Sequence, residues 1–301
     1  MVKFFSRAEI EVQRWDEVID KSECARPYLF SWYLDLVCPS WGALINEDYS
    51  LLAPIPLKQK FLINYAFQPK WVQQLGFFGK KINDIDERVL ESHFKKLPSS
   101  VGLLNFNLNP CHNTGKDSLN NYELDLNKDY QTLRSQYKGN LRNCINKASK
   151  DDLKIRKDDE PLPLIKTFQE HAAHKFNTFS SHDYRALERI IGEAILRSKG
   201  TLRTVYNKDE QLLGGAFFLE SETFSVFLFS AVNEEGRKKN VMHWLIDKFI
   251  RERAGQNRIL DFEGGNSRGT ALFFKSFGAV NVPFPTIKWY RFPLIKTNIK
   301  R

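Results

Sequence analysis

The chain has 301 residues, 42% hydrophobic and 27% charged, with 24 Phe among 13% aromatics. It can therefore bury a large core, and it is not a disordered, collagenous or low-complexity chain. Its 45 Lys and Arg against 36 Asp and Glu leave a formal charge of +9. That excess permits nucleic acid, a phosphorylated cofactor or a membrane surface as partner without choosing among them. The four cysteines, at 24, 38, 111 and 144, form no CxxC pair, so reduced thiols and no metal ligand set are expected. Met1–Glu9 lacks the apolar core of a secretory signal, and no run reaches the ~18 apolar residues of a transmembrane segment. A cytoplasmic protein is the expectation.

The first elements read as a strand at Val2–Phe5, a helix at Glu11–Lys21 with Trp15, Val18 and Ile19 on one face, and a short helix at Tyr28–Leu36. A hairpin follows, Gly42–Asn46 and Tyr49–Lys58, its second strand made irregular by Pro54 and Pro56. An aromatic, glycine-punctuated block spans Tyr65–Phe78. A helix is expected at Asp84–Leu97 and a strand at Val101–Leu108. From Asn127 the apolar residues Tyr130, Leu133, Tyr137, Leu141 and Ile145 recur every three or four positions, which predicts one helix to about Lys150. Asp158–Pro163 punctuates the chain. Helices at Leu164–Lys175 and His182–Arg197 lead to three strands, Thr201–Tyr206, Gln211–Glu220 and Thr223–Val232. The remainder reads as a helix at Lys239–Ala254, a strand at Arg258–Glu263, a glycine loop, a short helix at Thr270–Ser276 and a strand near Thr286–Arg291.

Candidate chemistry concentrates in 258–278. A buried-type strand ends in Asp261-Phe262-Glu263-Gly264-Gly265, and loops after sheet strands are where a rigid scaffold presents a site. Alternation puts Asp261 and Glu263 on one strand face, where their repulsion raises one pKa unless a cation intervenes. Lys275 and Arg268 are the nearest candidates in sequence; a plain strand-end salt bridge is the other reading. The turn Asn233-Glu234-Glu235-Gly236-Arg237-Lys238-Lys239-Asn240 leads into a helix and suits phosphate recognition. Tyr206 and Ser230 are hydroxyl candidates, equally readable as packing residues. Gln73 belongs to an aromatic block that fits either an acceptor cleft or a core.

Three segments carry a family resemblance. Asp261-Phe262-Glu263-Gly264 followed by Phe274-Lys275-Ser276-Phe277-Gly278-Ala279 looks like the C-terminal signature of the FemAB-like branch of the acyl-CoA N-acyltransferase superfamily. Tyr137-Lys138-Gly139-Asn140-Leu141-Arg142-Asn143-Cys144-Ile145-Asn146-Lys147-Ala148 is similar to that family's helix between its two domains. Leu213-Gly214-Gly215-Ala216 resembles its paired glycines on the second strand of the meander. The resemblance implies an α/β (α+β) fold of tandem GNAT-like domains, each a mixed, mostly antiparallel sheet flanked by helices. The expected division is a degenerate GNAT-like domain at 1–127, an interdomain basic helix at 128–150 and a C-terminal GNAT-like domain at 151–301.

The implied activity is N-acyl transfer from a phosphate-bearing donor, acyl-CoA, to an amine acceptor, a small molecule or cell-wall precursor, held between the domains. The alternatives are a peptidoglycan peptidyltransferase using aminoacyl-tRNA and a non-catalytic module that binds an anionic ligand. By the resemblance Lys275 contacts phosphate or the developing oxyanion; from the residues themselves, His243, Glu263 and Asp261 are the candidate proton acceptors. Gly236, Arg237, Lys238, Lys239, Asn240 and Ser230 are expected at the donor. Arg142, Lys138, Tyr206, Arg268 and Gln73 are expected at the substrate; a solvated helix face is the plain reading of Arg142. The turn lacks an intact (R/Q)xxGx(G/A) pattern. Residues 128–301 hold 31 Lys and Arg against 20 Asp and Glu, while 1–127 hold 14 against 16, so the basic excess lies in the proposed donor-binding part.

Overall fold

The computed structural model describes residues 2–38, 40–60, 63–80, 97, 101–107, 118–175 and 179–290. The helix expected at Asp84–Leu97, but for Leu97, lies outside them, as does Cys111. Two compact units emerge: residues 1–119 with 283–301, and residues 120–282. This division differs from one at residue 127, because the last strand of the chain joins the first unit.

In the first unit β1 (Val2–Ser6) precedes helices α1 (Val12–Lys21) and α2 (Ser31–Val37). Strands β2 (Ser40–Asn46), β3 (Leu52–Lys60), β4 (Ile63–Phe67), β5 (Leu75–Gly76), β6 (Val101–Asn107) and β7 (Ser118–Leu119) follow. The main sheet order is β1-β2-β3-β4-β6, with β4 and β6 parallel. Trp15 and Ile19 of α1 are fully buried, so the periodicity read from the sequence is the core face of that helix.

The second unit begins with β8 (Tyr122–Asp125) and the helices α3 (Tyr130–Ser135) and α4 (Leu141–Ala148). These two replace the single helix expected from 127 to 150. The break falls at Gly139, whose φ of 58° no helix accommodates. The apolar stripe continues through it: Leu133, Tyr137, Leu141 and Ile145 are all buried in one core. Strand β9 (Lys154–Asp158) and helices α5 (Leu162–His171) and α6 (Ser181–Leu196) come next. The meander is β10 (Gly200–Tyr206), β11 (Leu212–Glu220) and β12 (Phe224–Val232), close to the expected bounds. Helices α7 (Glu234–Lys238) and α8 (Val241–Arg253) lead to β13 (Ile259–Asp261), α9 (Arg268–Ser276), β14 (Val280–Asn281) and β15 (Phe284–Tyr290).

The two sheets repeat one plan. In the second, β9-β10-β11-β12 are antiparallel and β13 joins parallel to β12, matching β1-β2-β3-β4 with β6 in the first. The first is completed by a strand from beyond the second unit in sequence, whereas the second is contiguous. β15 lies between β6 and β7 of the first unit; β8, which follows β7 in sequence, lies between β13 and β14 of the second. The sequence places a strand near 286–291 but gives no sign of which sheet receives it.

Candidate active site

The site is built where the second sheet opens. Strands β12 and β13 pair only over Phe224–Val226 with Ile259–Asp261. Beyond that, β13 ends while β12 continues six residues to Val232, with no neighbouring strand on that side among the described residues. Leu228 is an extra residue against β11, since Phe217 pairs with Phe229 and Phe218 with Phe227. Such a bulge bends and re-aims a strand beside a site. An open flank of strand inside a sheet leaves backbone donors and acceptors for an extended ligand. Ser230, partly exposed, lies on this flank.

At the end of β13 the chain leaves strand geometry. Glu263 takes φ 54°, followed by Gly264 at 57° and Gly265 at 93°. Three left-handed residues in a row mark a constrained loop, and a glutamate there is uncommon. The strand stops at Asp261, so the alternation that would put Asp261 and Glu263 on one face does not extend to Glu263. Instead the Asp261 carboxylate turns back to accept the Glu263 N–H at 2.8 Å. Asp261 is fully buried and stands opposite Glu123 of β8, and the Asn121 amide donates to both, at 3.3 and 3.0 Å. A Cβ on Gly265 would sit 2.4 Å from the Tyr122 ring. The same ring carries the Lys275 ammonium 5.6 Å from its centroid. Lys275 is exposed. An exposed cation–π contact contributes only about 0.5–1 kcal/mol, less than the roughly 1.5–3 kcal/mol of a charged hydrogen bond. Lys275 is thus positioned by Tyr122 yet free in energy to meet an anion.

The motif at Tyr137–Ala148 arrives at the same place. The Lys138 N–H donates to the Ser276 carbonyl at 2.8 Å, and the Tyr137 ring meets Phe277 edge-on at 5.7 Å. The break between α3 and α4 therefore sits against the end of α9, one residue from Lys275. Two hydroxyls hold it: Tyr130 donates to Asp247 of α8 at 2.9 Å and Tyr137 does so at 2.9 Å. Asp247 is 4% exposed. Burial first, and the Asp247 charge second, push Tyr130 up to about 12 and Tyr137 up as well. This clamp was not legible in sequence, although Tyr130 and Tyr137 lie two helical turns apart. Arg142 is occupied locally, donating to the carbonyls of Arg134 and Ser135 at 3.2 and 2.7 Å and closing the end of α3.

The expected donor turn is more self-contained than its sequence suggests. Residues Glu234–Lys238 form their own helical turn, and the Gly236 N–H is taken by the Asn233 side chain at 2.8 Å. The N–H groups of Arg237, Lys239 and Asn240 go to Asn233, Glu235 and Arg237 carbonyls. Gly236 is small because a Cβ would lie 2.4 Å from the Leu213 carbonyl oxygen. Arg237 donates to the His171 carbonyl at 2.8 Å, and Lys239 pairs with Glu235 at 3.0 Å. Lys238 is exposed. Asn240, at φ 57°, turns the chain into α8, whose first-turn N–H groups have no intrahelical acceptor. His243 in that turn meets Phe273 of α9 edge-on at 4.9 Å, and burial lowers its pKa, so it is neutral at neutral pH.

The remaining candidates lie apart. Tyr206 donates to Asp158 at 3.2 Å under the Arg156 guanidinium, on β10, three strands from β13 and so roughly 14 Å away. Arg268 is exposed at the start of α9. Gln73 belongs to the first unit, between β4 and β5. Among the described residues no group of three His, Cys, Asp or Glu could hold a metal ion, and Cys24, Cys38 and Cys144 form no disulfide.

No family model matches the sequence, and no curated protein matches it. Solved structures do match in fold. FemX superposes with a TM-score of 0.69 at 13% identity, over 97% of this chain and 98% of FemX. A tandem GNAT protein from the clavulanic acid biosynthesis pathway gives 0.54 at 12% identity, over 97% and 99%. The C-terminal domain of a putative lysylphosphatidylglycerol synthetase from Agrobacterium fabrum gives 0.54 at 12%, over 96% and 94%. The fold is thus a tandem GNAT-like fold, shared with FemX and the tandem GNAT protein.

Proposed function

We propose that the chain is an N-acyltransferase whose second unit moves an acyl group from an activated, phosphate-bearing donor to an amine. The observation that carries this is the meeting of three separate segments, Tyr137–Lys138, Asp261–Gly265 and Phe273–Gly278, beside the open flank of β12. In the reaction the amine nitrogen bonds to the acyl carbon, charge gathers on the acyl oxygen, and the bond to the donor's sulfur or oxygen breaks. Lys275 is the cation we assign to that oxygen or to a donor phosphate. Glu263 is the carboxylate we assign to receive the amine proton. Asp261, buried and bonded to the Glu263 N–H, shapes the loop.

Acyl-CoA is the donor we favour, its amide-bearing arm lying along β12 and its phosphates near Lys238 and the first turn of α8. An aminoacyl ester of RNA is the second reading. It is favoured by the self-contained turn at 233–240 and by α4, which exposes Arg142, Lys147, Asn143 and Asn146 with no acid between Tyr130 and Lys150. The acceptor is an amine, in a small molecule or a cell-wall precursor.

The test is transfer from acetyl-CoA and from aminoacyl-tRNA to a panel of amines, in the parent protein and in Lys275→Ala. Loss of transfer in Lys275→Ala, with circular dichroism unchanged, is the expected result. Unaltered rates would remove Lys275 from the reaction. RNA binding that weakens steeply as salt rises would select the second donor.

A further inference from the structure

The opening between β12 and β13 is filled with rings. Phe227 is the first residue of β12 past the pairing with β13, and Phe262 is the first residue past the end of β13. Their centroids are 6.1 Å apart, bridging the two diverging strands at the point where they part. Phe262 stacks on Phe274 of α9 at 4.8 Å and lies 5.8 Å from Phe277. Phe274 also meets Phe227 at 6.5 Å and Tyr122 at 6.1 Å. Phe227, Phe262, Phe274 and Phe277 are 9, 2, 5 and 0% exposed, so the rings are packed against one another with little open surface. Aromatic pairs stabilise one another beyond simple area burial, so the cluster does not part readily for a guest.

We infer that Phe227, Phe262 and Phe274 form the floor of the acyl pocket and limit this protein to short, acetyl-sized acyl groups. The inference rests on the proposed donor position along β12. A carbonyl held at the flank of β12 has its substituent directed into the opening between the strands, and that opening ends at the three rings. The rings close the opening where the strands part, so the longer an acyl chain is, the more it must displace buried phenyl groups. The residues are specificity-determining rather than catalytic, since none carries a group that can move a proton or hold a charge.

The experiment is a chain-length series of acetyl-, butyryl-, hexanoyl- and octanoyl-CoA, read by thermal shift and by initial rate of thiol release with an amine acceptor. The parent protein is expected to favour acetyl over octanoyl by about tenfold or more, in line with what a few methylenes contribute in a closed pocket. Phe274→Leu, which keeps an apolar side chain and so the fold, is expected to narrow that ratio by about tenfold. Equal transfer of acetyl and octanoyl groups by the parent protein would overturn the inference, as would an unchanged ratio in folded Phe274→Leu. Neither shift nor thiol release at any length would overturn the coenzyme A reading itself, and the inference with it.

Discussion

Gly236 shows how one residue's surroundings reassign its role. Its position in a basic turn before a helix invites a phosphate cradle, but its N–H is bonded to Asn233 and its open side faces the Leu213 carbonyl at a distance no methyl tolerates. Gly236→Ala should therefore destabilise the second unit by about 1–3 kcal/mol through overpacking, measured as a lower urea midpoint at constant slope. A residue that only cradled phosphate would give weaker donor binding at unchanged stability. Gly265 lies at the other extreme. Its φ of 93° and the Tyr122 ring against it both exclude a side chain. Gly265→Ala should push Tyr122 aside and take the support from beneath Lys275. The melting temperature should fall, and transfer activity per folded molecule should fall with it. Sequence alone named both glycines and Lys275 but not Tyr122, because nothing local says that a tyrosine in β8 will lie under a lysine in α9.

The paired tyrosines on Asp247 act between elements, tying α3 and the break after it to α8. Their raised pKa values make a signed forecast. The hydroxyls ionise more easily in the unfolded chain, so the stability they contribute is whole below the ordinary value of 10. It is lost as the pH rises toward the Tyr130 value of about 12. The parent protein should lose stability across that window faster than a Tyr130→Phe, Tyr137→Phe double variant, as followed by denaturant midpoints. An equal slope in both would show that Asp247 is not bonded to them. At this scale the sequence was most legible where structure is local. The meander β10–β12 was read nearly to the residue, because apolar runs and tight turns specify it without distant partners. The single helix expected over 127–150 failed because the stripe Tyr130, Leu133, Tyr137, Leu141, Ile145 keeps its spacing through Gly139, and periodicity does not register one left-handed residue. Strand β8 was passed over although Tyr122, Leu124 and Leu126 alternate with Glu123 and Asp125, since so short a run becomes a strand only when β13 is beside it. The facing of Asp261 and Glu263 was misjudged because alternation was extended past the last paired residue.

For the molecule as a whole, the decisive feature is the return of β15 to the first unit. Ending the chain after Val282 should leave the second unit intact while removing the strand that separates β6 from β7 in the first. Limited proteolysis of that truncated protein should yield a resistant fragment near 120–282 and a rapidly degraded N-terminal part; equal resistance of both would contradict the strand assignment. The placement also bears on how the protein is made. A ribosome releases residues 1–119 first, yet their sheet cannot close until 284–290 emerge. The intervening 120–282 take roughly 10 to 30 seconds to synthesise. Through that interval the edge of β6 is an unpaired strand, open to pairing with another chain. The second unit, contiguous in sequence, has all its strands before the first does. The unit whose first strands emerge earlier is thus the one whose sheet is completed later, and its β6 edge stays open to mispairing until 284–290 appear.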